Sequence, residues 1–123
     1  MSNRFILRQI GISALLCAAP LYASAQTCVV PGTLWEKPRS GQAVAGLPEL
    51  RGCVQDFLEH SGTALEIHHG AADEVSLRAA ELRYWLIALA LDGARIDLRN
   101  DLQPNEPLKV EIRDCLNKYH GCD

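Results

Sequence analysis

Apolar and polar positions recur along this chain with two different periods, and the changes of period mark out its elements. From Ala64, Leu65 and Ile67 alternate with Glu66 and His68, the pattern of a strand with one apolar face. His68-His69-Gly70-Ala71-Ala72-Asp73 breaks the alternation as a polar loop. Val75, Ala79, Leu82, Leu86 and Leu89 then follow at spacings of four, three, four and three. That spacing predicts a helix, with Asp73 as its N-terminal cap and Gly93 as its end. Ala94 to Leu98 resumes alternation with Ile96 and Leu98 inward, and Leu108, Val110 and Ile112 alternate with Lys109, Glu111 and Arg113.

Upstream, Val29-Val30 is extended and leads through a Pro31-Gly32 turn to Leu34 and Trp35, the latter expected as a core aromatic. Ser40 suits the cap of a helical turn. Pro48 suits the first turn of a helix that carries Leu50, Val54, Phe57 and Leu58, with Leu47 as a staple and Gly62 as its closing residue. The resulting order is strand, helix, strand, helix, strand, strand. It predicts an α+β fold, a two-layer sandwich in which helices cover one face of a mixed sheet while the other face stays wet. The second and third strands, joined through a helix, should be parallel.

The long helix has a second apolar arc, Leu77, Ala80, Tyr84, Ile87 and Leu91, nearly opposite the first. A helix on the outside of a two-layer domain normally has a polar back. Two readings stay open: the first helix or a terminal segment covers the arc, or Leu77, Tyr84, Ile87 and Leu91 form a surface for a partner or for a second copy of the chain.

The N-terminus changes the picture of compartment. Arg4 and Arg8 precede an apolar run from Ile10 to Ala19, and Ala23-Ser24-Ala25 has the form of a cleavage site. Residues 1–25 are therefore expected to be a signal peptide, and residues 26–123 a single domain in the periplasm. The run is too short to span a bilayer, which needs about 20 residues. Cleavage leaves 98 of the 123 residues, with ten Lys and Arg against fifteen Asp and Glu, a net charge of −5. That balance argues against nucleic-acid binding. Four cysteines remain, Cys28, Cys53, Cys115 and Cys122, an even number that in an exported small domain reads as two disulfides. Cys28–Cys53 with Cys115–Cys122 is the favoured pairing, and Cys28–Cys122 with Cys53–Cys115 is the alternative.

Little in the chain suggests catalysis. Ser40, Ser61 and Ser76 lie in capping or loop contexts, and no acid–base pair stands out, so an enzyme is not expected. His68 and His69 are adjacent, and neighbouring strand residues point to opposite faces. No metal site and no cofactor are predicted.

The element order and several partial motifs resemble the OmpA-like domain, found also at the C-terminus of flagellar motor MotB proteins and in peptidoglycan-associated lipoproteins. Leu65-Glu66-Ile67-His68-His69-Gly70 stands where that family has its first motif strand and histidine. Arg78-Ala79 followed by Leu82 and Leu86 is similar to the family's R-A-x-x-V-x-x-x-L helix start, and Lys109-Val110-Glu111-Ile112 to its last strand. The loop before the helix is shorter than the family's, and Leu108 stands where its last strand begins with Arg. The resemblance implies a non-catalytic cell-envelope domain that contacts peptidoglycan stem peptides through Arg78, Asp73 and His69. The alternative is a periplasmic interaction module that kept this fold without glycan binding.

Overall fold

The computed structural model describes residues 26–115. The first 25 residues lie outside it, as does Cys122, and with Cys122 the expected bridge to Cys115.

Thr27–Val29 (β1) runs along one edge of the sheet. A 3-10 turn over Gly32–Glu36 follows, then a short helix Gly41–Ala45 (α1) and a longer one Pro48–Glu59 (α2). Thr63–His69 (β2) leads into Asp73–Ala88 (α3), and a 3-10 turn at Gly93–Arg95 leads into Ile96–Asn100 (β3) and Lys109–Asp114 (β4). The sheet order is β1-β4-β2-β3, with β2 parallel to β3 and antiparallel to β4, and β1 antiparallel to β4. The fold is thus the expected α+β sandwich, with α2 packed on β1 and β4 and α3 on β2 and β3.

Period-2 patterning explains the layer. Leu65 and Ile67 of β2, Ile96 of β3 and Val110 and Ile112 of β4 point to the helices and are buried. From α2 they meet Leu50, Cys53 and Phe57, and from α3 Ala79, Leu82 and Leu86. Leu58, expected on the inward stripe, is instead exposed, because Cys53 takes the place beside Leu50 and Phe57. Cys53 reaches Cys28 on β1 and forms the favoured disulfide. That bond ties the three-residue edge strand to the helix layer.

The helix ends depart from expectation in instructive ways. Ser40 Oγ accepts from Ala43 N at 3.1 Å and caps α1 as predicted. The residue flanking α3 at its N-terminus is Ala72, which has no side chain to cap with; Asp73 and Glu74 sit inside the first turn and favour the helix dipole instead. At the other end α3 stops at Ala88, well short of Gly93. Ala90 N donates to Ile87 O and Leu91 N to Leu86 O, with Ala90 at φ 73°, which is a Schellman motif built on alanine. Gly62 does not adopt a left-handed φ; α2 is closed by the His60 N–H on Asp56 O, and Arg95 donates from Nη2 to the carbonyls of Phe57 and His60.

An L-residue in the left-handed region is strained by about 1–2 kcal/mol. Ala90→Gly is therefore expected to raise the unfolding free energy by about 0.5–1 kcal/mol, since glycine's extra chain entropy offsets part of the relief. Urea denaturation checks this: the midpoint should rise with no change in slope, and a fall would show that the motif is not strained at Ala90.

Candidate functional site

The residues expected to hold a ligand divide between three places. His69, the last residue of β2, turns toward the helix layer and is only 7% exposed, with Nδ1 against the carbonyl of Gly70. Its own carbonyl accepts from Asp101 N and Leu102 N, so it anchors the loop after β3. Asp73 is exposed at the start of α3. Arg78 stands five residues further on, which on an α-helix is about 140° around the axis, and faces away from Asp73. The structure does not assemble these three into one site.

Arg78 instead belongs to a groove that the sequence did not disclose. It donates from Nη2 to Glu74 Oε1 at 2.7 Å, one turn back on the same helix, and its guanidinium carbon lies 5.7 Å from the centre of the Trp35 ring. Arg39 lies 5.6 Å from the same ring centre and donates from Nε to Glu81 Oε1 at 2.9 Å. Trp35 Nε1 is not part of this set; the indole that touches Glu81 is that of Trp85, at 3.5 Å. Trp35, Arg39, Glu74, Leu77, Arg78 and Glu81 together line an open groove of about 290 Å³.

Local structure puts each group there. The 3-10 turn over Gly32–Glu36 buries Leu34 and leaves Trp35 half-buried, packed against the edge of the core while its exposed side walls the groove over α3. Arg39 is held by the carbonyls of Trp35 and Lys37, at 3.2 and 3.4 Å, just before Ser40 starts α1. Glu74, Arg78 and Glu81 follow one stripe of α3 at spacings of four and three. The groove thus presents two guanidinium groups, two carboxylates and one aromatic face. Such a surface suits a ligand that carries both carboxylates and an ammonium group on an otherwise soft body.

The second apolar arc of α3 runs alongside. Leu77 is 71% exposed, and Tyr84 and Ile87 are exposed with it. Leu91 is not: at 4% exposure it is the residue that the Schellman turn folds back onto Leu86, so it belongs to the core. The open arc is Leu77, Tyr84 and Ile87. A separate apolar groove of about 490 Å³ lies between α1, α2 and the end of α3, with Leu86, Leu89 and Leu91 along one side and Leu58 at its rim.

The opposite face of the sheet carries a cluster of charged residues on β2, β3 and β4. Across it, Glu66 of β2 lies in register with Glu111 of β4 on one side and Asp97 of β3 on the other. The next row places His68 between Lys109 and Arg99. Arg113 Nε approaches Glu66 Oε1 to 2.8 Å as an ion pair without hydrogen-bond alignment, and Arg99 Nη2 lies 3.6 Å from the same oxygen.

Among the described residues no helix is long and apolar enough to cross a membrane. Trp35 and Arg39 are the groove residues that sequence reasoning missed; their spacing of four, with Pro38 between them, was the available signal. Compared with family models, curated proteins and solved structures, the chain finds no match in any of the three.

Proposed function

We propose that this chain is an exported, non-catalytic binding domain of the cell envelope that takes a carboxylate-bearing polymer, peptidoglycan stem peptides, in the groove around Trp35. The observation that carries this reading is the pair of guanidinium groups, Arg39 and Arg78, flanking one tryptophan ring on an open surface. Each Arg is already positioned by a carboxylate of α3, so little side-chain entropy is lost when a ligand carboxylate adds to the fork. Diaminopimelate-type stems carry carboxylates and an ammonium, and Glu74 and Glu81 can answer the latter. The partial resemblance of the α3 start to the OmpA-like helix, with Arg78 at the family's Arg position, supports the same polymer class. The domain acts by holding on, with residues 1–25 as the export signal and the periplasm as its compartment.

Co-sedimentation with diaminopimelate-type sacculi tests it. Wild-type chain is expected to pellet with the sacculi, and Arg78→Glu to lose at least tenfold in bound fraction at equal fold content. Sedimentation unaffected by that reversal would remove the groove from consideration.

A second reading rests on the exposure of Leu77 and Tyr84. In it the domain is an interaction module that engages an envelope protein or a second copy of itself through Leu77, Tyr84 and Ile87. Tyr84→Glu then disrupts association seen by analytical ultracentrifugation, while Arg78→Glu leaves it intact.

A further inference from the structure

We propose that the charged face of the sheet holds a divalent transition-metal ion, with Zn²⁺ as the reference ion, ligated by His68 Nε2, Glu66 and Glu111. One ligand atom from each of these residues lies within 4.8 Å of the others. His68 Nε2 is 3.3 Å from Glu66 Oε2 and 3.4 Å from Glu111 Oε2. A tetrahedral zinc site with bonds of about 2.0–2.1 Å has edges of about 3.3–3.4 Å between ligand atoms. Two of its edges are therefore already at length, and the third needs only a side-chain adjustment of the more exposed Glu111.

The state of His68 points the same way. Its side chain is 13% exposed, and Nε2 is buried with no hydrogen-bond partner, although two carboxylate oxygens face it. Nδ1 lies 2.8 Å from both carboxylate oxygens of Asp101. In the Nδ1–H tautomer His68 donates to Asp101 and directs its Nε2 lone pair at Glu66 and Glu111. Three sites of negative potential then converge on one point, and a cation between them resolves the conflict. A carboxylate behind the distal ring nitrogen is also what orients and strengthens histidine as a metal ligand.

The sheet carries a like-charge conflict that a metal relieves. Glu66 and Glu111 are directly opposed across the β2–β4 ladder, an arrangement that is destabilising by itself. Glu66 divides its oxygens: Oε1 faces Arg113 and Arg99, and Oε2 is left toward His68. Arg113 and Arg99 compensate one side of Glu66 only. Imidazole with two carboxylates suits Zn²⁺ and its neighbours better than Mg²⁺ or Ca²⁺. Three protein ligands leave a coordination position for water or for a group on a partner.

The full chain, stripped with a chelator, is titrated with ZnCl₂ and with MgCl₂ by calorimetry and by thermal shift. Zn²⁺ is expected to saturate at one ion per chain and to raise the melting temperature with concentration, with no such response to Mg²⁺. Glu111→Gln and His68→Asn each weaken Zn²⁺ binding at least tenfold, and Asp101→Asn weakens it by about tenfold to a hundredfold. His60→Asn is the control, since His60 caps the end of α2 beside Asp56 and Glu59 and leaves the affinity unchanged. If a variant fails to fold, wild-type NMR decides: the His68 ring resonances must be the ones that shift with Zn²⁺. Absence of saturable binding, binding retained in both ligand variants, or shifts confined to other histidines would overturn the proposal.

Discussion

Replacing both Cys28 and Cys53 by alanine is expected to lower the unfolding free energy by about 3–4 kcal/mol. The bond closes a loop with a sequence separation of 25 residues. Loop closure of that size removes about 3.5 kcal/mol of unfolded-state entropy in the chain-entropy account. A domain of this length has about 5–15 kcal/mol in total, so the variant sits near the margin of folding. The local picture agrees. β1 has three residues and lies at the sheet edge, paired to β4 alone, and its hold on the helix layer passes through Cys53. Urea denaturation of wild type and double variant under non-reducing conditions measures the difference. A midpoint unchanged within error would mean that β1 is held by its ladder and by Val30 packing, and that the bridge is incidental.

The parts of this fold that could be read from the sequence are those where one local rule decides. Strict alternation in Leu65-Glu66-Ile67 and in Val110-Glu111-Ile112 fixed which residues face the helices, and the 4-3-4 spacing through Ala79, Leu82 and Leu86 gave the inward face of α3. The parallel pairing of β2 with β3 follows from the helix between them. Where two rules compete, the reading failed. Cys53 and Leu58 are both apolar but lie five residues, about 140°, apart around α2, so the helix that buries Cys53 with Leu50 and Phe57 leaves Leu58 outside. Glycine is the usual residue at a helix C-terminus, yet the turn forms at Ala90, because burying Leu91 against Leu86 outweighs the strain of a left-handed alanine.

The site was less legible than the fold for a different reason. Arg78 was singled out because Arg78-Ala79, followed by Leu82 and Leu86, is similar to a known helix-start motif. Trp35 and Arg39 come to it from a 3-10 turn and a loop, elements with no hydrophobic period. Alternation correctly sends His68 and His69 to opposite faces, which excludes a site made of both. It says nothing about Glu111, which meets Glu66 through a strand register formed 45 residues along the chain. A cluster of that kind becomes visible only once the ladder is known.

The same ladder makes Arg113 the residue whose loss tests the charged face most sharply. Glu66 is 10% exposed at its side chain and Arg113 19%, and their 2.8 Å contact is the closest that Glu66 makes to a cation. Arg113→Met keeps much of the apolar stem and removes the charge, leaving Glu66 between Glu111 and Asp97 with Arg99 alone at 3.6 Å. Breaking a fully buried pair from one side costs about 3–5 kcal/mol, and exposed pairs are worth under about 1, so a partly exposed pair with one remaining partner should cost about 2–3 kcal/mol. In metal-free buffer the urea midpoint is expected to fall accordingly. Combining Arg113→Met with Glu66→Gln should cost less than the sum of the two single changes, because the stranded carboxylate is gone. Zn²⁺ provides the discriminating arm. If the ion sits among His68, Glu66 and Glu111, it supplies the charge that Arg113 gave, and saturating Zn²⁺ restores more stability to Arg113→Met than it adds to wild type. Equal gains in both would mean that Zn²⁺ acts elsewhere, and additive losses in the double variant would mean that Arg113 holds the sheet by packing and not by its charge.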